Sequence, residues 1–425
     1  MPSVRIRPLA PASRCPLQPA STCAPRSNPA SGAVDQCNTL MLASECQAAG
    51  PVTGLATCSN GLLYSICHGD HSCNLQSWTE LGLSPSALPP ISAALAPTSV
   101  VAVAAGSQYV ATAHKDLRIR LWRRSKAGGQ LQQVSSLPSL RQYLHNWTLQ
   151  HRYLQTRRHG KKFAWMQHAD TISALAFSAD CTLLYSASWD RTVKVWSLHD
   201  MQCQESFTAH IDSINAMVVG AADGLLYTGS ADKFIKVWCR RPSTSKGRHF
   251  KHSVVVALQE QGAAVNALVM SRDGSLLYSG GSDGRVVVWR KSSPCWPHKA
   301  AAASQLLRVQ EKLQGHARAV LCLDLLQSND SSGAPSLLVS GSADQTIRVW
   351  RQDNNINVHE CVGVVRAHTG PVRSLRVGVV KELGGVCGGV AFSGGLDGSI
   401  KMWMLAPATS SSSSATGDVD QEDRI

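Results

Sequence analysis

The chain has 425 residues, of which 44% are hydrophobic and 16% charged, and its formal net charge at pH 7 is +13. It contains no run of about 18 uncharged apolar residues, which argues against a membrane-spanning helix. None of its 14 cysteines forms a C-x-x-C pair, so the sequence predicts neither a disulfide framework nor a common zinc site. The positive charge favours acidic partners, which could be proteins, nucleic acid or anionic lipid.

The two ends of the chain differ in composition from its centre. Residues 1–37 are rich in Pro, Ser, Ala and Cys, and residues 406–425 are Ser-rich and acidic. Neither segment has a core-forming pattern, so we predict that both are disordered tails. The arginines of the first tail also resemble those of an organellar transit peptide.

Between the tails, one phrase recurs seven times, with two weaker copies before five clear ones. A clear copy such as LLYSASWDRTVKVW contains an apolar β-branched segment, a Ser/Ala/Asp turn and a second alternating segment, which predicts two strands and a tight turn. A further strand fits on each side. Units of four strands repeated in this way predict an all-β propeller. The copies end at Trp78, Trp122, Trp196, Trp238, Trp289, Trp350 and Trp403.

On these residues the chain resembles the WD40-repeat family, which implies a seven-bladed β-propeller over residues 38–405. The Asp that usually follows the closing Trp of each repeat is absent throughout. Because the last repeat has no fourth strand after Trp403, we expect Leu40 to Glu45 to complete the seventh blade and to close the ring. An open ring would leave a strand edge exposed.

A set of His, Ser or Thr, Asp and Trp recurs in four of the repeats. A catalytic triad is needed once, so its recurrence argues for a structural network that satisfies buried polar groups. The family resemblance implies the same role. Three repeats lack the His, with Ala48, Ala96 and Gln261 in its place, so we expect their turns to be tied less firmly. The four complete sets are His168, Ser186, Asp190, Trp196; His210, Thr228, Asp232, Trp238; His316, Ser340, Asp344, Trp350; and His368, Ser393, Asp397, Trp403.

The resemblance also implies a partner-binding face, the top face, at positions beside the inner strands and before the turn Asp. Trp189 is distinctive there, because the corresponding turns carry mostly small or flexible residues, and Trp is frequent in interface hot spots. The alternative is that its indole packs on a neighbouring blade. The predicted partner-binding residues are Lys115, Trp189, Asn215, Asn266, Leu321, Arg373 and Leu396.

A second candidate surface is basic. The segment 123–162 reads as a long insertion after Trp122 without Asp or Glu, and the loop after Trp238 is also basic. We place both on the bottom face, where the connections from third to fourth strands lie, although such charge runs are often only solvated surface. The candidate residues are Arg157, Arg158, Lys161, Lys162, Arg240, Arg241 and Lys251.

Two segments narrow the resemblance to the plant WD-repeat proteins typified by JINGUBANG. They are R-R-H-G-K-K-F-A-W-M-Q-H-A-D at 157–170 and G-P-V-T-G-L-A at 50–56. That resemblance implies a non-enzymatic scaffold for signalling or transcriptional partners, in the cytoplasm or nucleus, with the plastid as the alternative if the first tail is a transit peptide.

Two other binding functions stay open. The basic face could bind nucleic acid or anionic lipid, which strong salt dependence would reveal. A ubiquitin-ligase substrate receptor is disfavoured, since no closing Trp is followed by Asp. The sequence predicts no catalytic residue, cofactor or metal: it has no glycine-rich phosphate loop, and the spacing of Cys67, His68, His71 and Cys73 matches no usual zinc site.

Overall fold

The computed structural model describes most of the chain as β-strands joined by turns. Both predicted tails, 1–37 and 406–425, lie outside the described residues. Within the described part, no helix has the length and apolar character that a membrane span requires. The described ranges are 40–48, 50–57, 62–68, 73–79, 82–85, 100–106, 108–124, 131–139, 153–155, 162–242, 250–292, 307–327, 336–353, 358–380 and 388–405.

The strands form seven four-stranded antiparallel sheets, six of them from consecutive strands. The chain enters as β1 (Leu40–Gln47), which belongs to the last sheet. Sheet 1 is β2 (Val52–Thr57), β3 (Leu62–His68), β4 (Cys73–Thr79) and β5 (Gly82–Pro85). Sheet 2 is β6 (Val100–Ala105), β7 (Tyr109–His114), β8 (Ile119–Arg124) and β9 (Leu131–Leu137). A hairpin of β10 (Tyr153–Gln155) and β11 (Lys162–Ala164) follows. Sheet 3 is β12 (Ile172–Phe177), β13 (Leu183–Ser188), β14 (Thr192–Ser197) and β15 (Gln202–Thr208).

The remaining sheets repeat the same order. Sheet 4 is β16 (Ile214–Val219), β17 (Leu226–Ser230), β18 (Ile235–Pro242) and β19 (Phe250–Leu258). Sheet 5 is β20 (Val265–Met270), β21 (Leu276–Gly281), β22 (Val286–Lys291) and β23 (Leu307–Leu313). Sheet 6 is β24 (Val320–Leu326), β25 (Leu337–Ser342), β26 (Thr346–Gln352) and β27 (His359–Arg366). Sheet 7 is β28 (Val372–Val380), β29 (Gly388–Gly395), β30 (Ser399–Leu405) and β1.

The first strand of each sheet lies on the inside of a ring. These inner strands touch one another in a closed cycle, β2, β6, β12, β16, β20, β24, β28 and back to β2. Residues from all seven also line one central cavity. The all-β propeller predicted from the repeats is therefore confirmed.

The ring closes through β1, as the missing fourth strand of the last repeat predicted. Leu40 pairs with Leu405 and Gln47 with Ser399 along an antiparallel ladder. The Glu45 carboxylate lies 3.3 Å from the Lys401 ammonium. The first and last segments of the described fold thus share one sheet, which removes the exposed edge that an open ring would have.

The core lies between neighbouring sheets rather than at the centre of the ring. One apolar cluster, for example, joins Tyr185 and Val195 of sheet 3 to Ile214, Met217 and Trp238 of sheet 4. Because both faces of each sheet are covered, a central strand such as β13 is buried along its whole length. The outer strand β15 is only partly buried.

The connections between second and third strands lie on the top face of the ring, and those between third and fourth strands on the bottom face. The top turns contain a residue with left-handed backbone, for example Arg191 (φ 71°) and Gly284 (φ 79°). At Gly284 a Cβ atom would approach the His316 carbonyl oxygen to 2.5 Å. This turn requires glycine for its conformation and for space.

The position predicted for the basic insertion is wrong. The fourth strand of sheet 2 begins at Leu131, soon after β8, and Leu137 at its end pairs with Ile119 beside a top-face turn. The next inner strand begins at Ile172, opposite Ser188 and also beside a top-face turn. The long connection 138–171 therefore starts and ends on the top face, not the bottom. Only eight residues, 123–130, separate Trp122 from Leu131 at the start of β9, because the Leu131–Leu137 segment already supplies the outer strand.

Candidate protein-binding face

The four predicted polar networks are present in sheets 3, 4, 6 and 7. In sheet 3, Trp196 Nε1 donates to Ser186 Oγ at 2.9 Å, and this oxygen lies 2.8 Å from His168 Nε2. His168 Nδ1 lies 2.9 Å from Asp190 Oδ2, which also accepts the Ala169 amide at 2.8 Å. The network joins the loop before the inner strand to the turn between the second and third strands.

Sheets 4, 6 and 7 repeat this arrangement with closely similar distances. The hydroxyl-to-Nε2 distance is 2.8 Å in all three. The Nδ1-to-carboxylate distances are between 2.9 and 3.1 Å. A loop amide also binds each carboxylate, from Ile211, Ala317 and Thr369.

The hydrogen-bond directions define the charge state of the network. The ionised carboxylate can only accept, so Nδ1–H donates to it; in a neutral imidazole Nε2 is then unprotonated and accepts the hydroxyl proton, while the hydroxyl oxygen accepts the indole N–H. Burial lowers the pKa of His168, His210, His316 and His368, which keeps the imidazoles neutral at pH 7. Although burial raises the pKa of Asp190, the interactions with His168, Thr192 and the Ala169 amide together outweigh it, so the net pKa is lowered and the carboxylate is ionised. A neutral His between a hydroxyl and a carboxylate resembles a catalytic triad, but here the hydroxyl is buried beneath the turn.

Sheet 2 has a substitute that the sequence analysis missed. His114, on the second strand, lies 2.9 Å from Thr112 Oγ1, which also accepts the Trp122 indole N–H at 2.8 Å. The turn carboxylate of Asp116 is paired instead with Arg120 at 2.8 Å. The sequence signal for this substitute was the His two residues after the hydroxyl-bearing Thr112.

Sheet 5 has only half of the network. Gln261 occupies the histidine position and its Oε1 accepts Ser279 Oγ–H at 2.5 Å. Its Nε2 is buried without a hydrogen-bond partner, and Asp283 accepts only the Arg285 amide, at 3.2 Å. This turn is tied less firmly than those of sheets 3, 4, 6 and 7, as the sequence analysis predicted.

Several predicted partner-binding residues lie at the top mouth of the central cavity, where they tie neighbouring sheets together. Ser173 Oγ donates to the Ile214 carbonyl at 2.5 Å. Asn215 Nδ2 donates to the Val265 carbonyl at 3.1 Å, and Asn266 Nδ2 to the Val320 carbonyl at 3.2 Å. These amide N–H groups are used within the ring, so Asn215 and Asn266 have a structural role whether or not a partner touches them.

Leu321 and Arg373 occupy the same position in sheets 6 and 7 and also line the cavity. The described residues offer Arg373 no hydrogen bond or ion pair, and its side chain is exposed. Among the described residues at this position of the inner strands, Arg373 is the one cation.

Trp189 and Leu396 are exposed on the top face, with 44% and 42% of their surface accessible. Trp189 N donates to the Thr171 carbonyl at 3.0 Å and Leu396 N to the Pro371 carbonyl at 3.0 Å, so both turns adjoin the start of an inner strand. More than half of the Trp189 surface is covered, so packing of its indole on a neighbouring blade stays the alternative prediction. Lys115 is also exposed, in the sheet 2 turn.

Ile211 is a top-face residue that the sequence analysis missed, and 77% of its surface is accessible. Its amide binds Asp232, while Ala209 N donates to the Arg191 carbonyl at 2.9 Å in the turn that carries Trp189. The sequence signal was its position directly after a network His, because a side chain at that position points away from the buried imidazole.

The proposed basic face lies only partly within the described residues. Arg157, Arg158 and Lys161 lie outside the described residues, and Lys162 lies in β11, whose side chains are not described. Arg240, Arg241 and Lys251 lie on the β18–β19 hairpin at the bottom. There Arg240 stacks over the Phe250 ring at 4.4 Å and donates to Gln204 Oε1 at 3.3 Å. Because the first group lies outside the described side chains, a single site formed by both groups stays a prediction.

No metal centre is found in the described part of the chain: no three His, Cys, Asp or Glu residues are suitably placed there. The side chains of Cys67, His68 and Cys73 and the whole of His71 are outside what the structure describes.

Comparison with known families matches the repeated unit. The model of the WD domain, G-beta repeat, matches residues 161–197, 201–239, 253–290, 307–351 and 359–404, which correspond to sheets 3 to 7.

Similar curated proteins align with part of the chain. Protein ROOT INITIATION DEFECTIVE 3 of Arabidopsis thaliana is 26% identical over 223 residues, 50% of this chain and 46% of that protein. Striatin of Mus musculus is 31% identical over 189 residues, 44% of this chain and 18% of striatin. Zinc finger CCCH domain-containing protein 62 of Arabidopsis thaliana is 26% identical over 195 residues, 46% of this chain and 39% of that protein. The chain spans less than half the length of each of these relatives.

Proposed function

Because the chain belongs to the WD40-repeat family, we propose that it is a non-enzymatic scaffold that binds other proteins through its top face. The buried polar networks anchor the turns and loops of that face in four of the sheets. A rigid surface loses little conformational entropy when a partner binds, so more of the contact energy remains as affinity.

The observation that carries this proposal is the exposed Trp189 side chain on an anchored turn. Asp190, the next residue, accepts hydrogen bonds from His168, the Ala169 amide and the Thr192 amide. The indole is thus held outward with its apolar surface half exposed, beside the loop that carries Ile211. Large aromatic side chains of this kind account for much of the binding energy at protein interfaces.

The plant context is the finer part of the proposal. The stretches 50–56 and 157–170 resemble the JINGUBANG-like proteins, and two of the similar proteins come from Arabidopsis thaliana. We propose a role with signalling or transcriptional partners in the cytoplasm or nucleus.

The test is copurification from plant cells with the full chain and two variants. Val254 is the matched control, because its side chain is apolar and 53% exposed but lies on the outer strand β19. We expect partners to be lost with Trp189→Ala and retained with Val254→Ala, at equal expression and equal thermal midpoints. Partners retained by both variants would contradict a top-face site centred on Trp189.

A further inference from the structure

The cation at the mouth of the central cavity points to the chemistry of the partner, an inference that rests on the proposed function. In sheets 3, 4 and 5 the side chain at this position binds a carbonyl of the next inner strand. In sheet 7 the position is held by Arg373, for which the described residues offer no such bond. Its guanidinium carries five N–H donors, which bind a carboxylate in a two-point geometry.

No negative charge balances Arg373 among the described residues that line the cavity. That lining includes a second cation, Arg376, and no Asp or Glu. Arg376 is partly neutralised by Asp324 at 3.7 Å and donates to the Leu55 carbonyl at 3.2 Å. Cys322 supplies no counter-charge, since burial raises the pKa of its thiol to about 12. A concave site lined by one sign of charge concentrates its field on an incoming anion.

The size of the cavity selects the kind of anion. Its volume is about 210 Å³, below the roughly 300 Å³ at which pockets for whole small-molecule ligands begin. A single side chain fits such a space, and the exposed Trp189 and Leu396 beside it provide apolar surface for the flanking residues.

We propose that the central cavity receives an Asp or Glu side chain of the partner protein, with Arg373 as its ion-pair partner. The partner segment is an acidic residue flanked by apolar ones. The carboxylate pairs with the guanidinium, while the apolar neighbours lie on the top face.

The experiment is selection of short random peptides on the immobilised full chain, followed by affinity measurement through fluorescence anisotropy. We expect the selected peptides to share an acidic residue. Arg373→Met should weaken their binding by about 10- to 100-fold, the equivalent of a hydrogen-bonded charged group. Replacing the peptide Glu by Gln should weaken binding similarly, and the two losses should not add, because they remove the same pair.

The matched control is Arg366→Met, which removes an exposed cation at the outer end of β27, away from the cavity lining. It should leave the affinity nearly unchanged, and the thermal midpoint of Arg373→Met should equal that of the wild type. Equal losses for Arg366→Met and Arg373→Met would assign the effect to general charge and overturn the proposal.

The remaining outcomes separate this proposal from the proposed function. Two outcomes would refute the carboxylate site but leave the proposed scaffold function intact. One is selection of peptides without an acidic residue. The other is binding that survives Arg373→Met but fails with Trp189→Ala. Failure to select any peptide, or binding indifferent to both variants, would contradict both proposals. Binding of a single-stranded oligonucleotide that depends on Arg373 and competes with the peptides would assign the site to phosphate and refute the carboxylate.

Discussion

Completing the polar network of sheet 5 should stabilise its turn. Gln261 stands 18 residues before Ser279 and 22 before Asp283, the separations that link His210 to Thr228 and Asp232. In Gln261→His, Nε2 should therefore accept the Ser279 hydroxyl while Nδ1–H donates to the Asp283 carboxylate. The Trp289 indole already donates to Ser279 Oγ at 2.8 Å, so the rest of the network is in place.

The expected gain follows from what sheet 5 lacks. A hydrogen bond to a charged acceptor contributes about 1.5–3 kcal/mol, and the orphaned amide of Gln261 would disappear. Gly262, the next residue, has a left-handed backbone (φ 73°). In sheets 3 and 4 the network His is followed instead by Ala169 or Ile211. The loop of sheet 5 must therefore rearrange to place a His side chain, and this rearrangement costs part of the gain. We expect a net gain of about 1–2 kcal/mol in the opening free energy of the turn.

Native-state hydrogen exchange over residues 276–292 measures this gain locally. Exchange should slow by about 5- to 30-fold, while sheet 3 is unchanged. Gln261→Met is the control, because it removes the orphaned amide without adding a bond to Asp283. An equal gain with Met, or a gain that persists in an Asp283→Asn background, would refute the reasoning.

Four further outcomes are expected. Asp232→Ala should lower the free energy of unfolding by about 2–4 kcal/mol, because His210 and two amides lose a charged acceptor, and Asp283→Ala should cost less; urea midpoints in the reverse order would contradict the network. Gly284→Ala should lower the free energy of unfolding by clearly more than the roughly 1 kcal/mol expected for Gly224→Ala. Both glycines have a left-handed backbone, but only at Gly284 would the added Cβ meet a carbonyl oxygen. Equal urea midpoints for the two variants would show that this contact relaxes freely. Removing the chain through the end of β1 should sharply lower the thermal midpoint, whereas removing residues 1–36 should not, and equal midpoints for the two would disprove closure by β1. Urea midpoints should fall as the pH is lowered from 7.5 to 5, because burial lowers the pKa of the four network histidines. As the pH falls, the unfolded chain therefore takes up protons before the folded ring does, and the stability present above about pH 6.5 is lost below it. A midpoint that stays constant or rises as the pH is lowered would show that the histidines are protonated in the folded ring.

Several features of the molecule follow from local sequence alone. The recurring strand–turn–strand phrase predicted the all-β repeat, because two short apolar segments joined by a tight turn form a hairpin wherever they occur. The spacing of His168, Ser186, Asp190 and Trp196 predicted one network and, by repetition, three more. The missing strand after Trp403 predicted the closing role of β1, since each sheet needs four strands.

Other features depended on which strands pair, and only the tertiary structure decided them. The basic run after Trp122 gives no sign that Leu131–Leu137 is already the outer strand, because a short outer strand that is only partly buried has a weak pattern. That pairing places the start and the end of the connection 138–171 at the top face, whereas Arg240 and Arg241 lie on the bottom hairpin. Asn215 and Asn266 likewise read as free surface residues, although each binds a carbonyl 50 or more residues away in the chain. Arg373 stands out only beside them, because contacts between blades join residues that are distant in sequence, and the lack of a partner becomes visible only when the ring is closed.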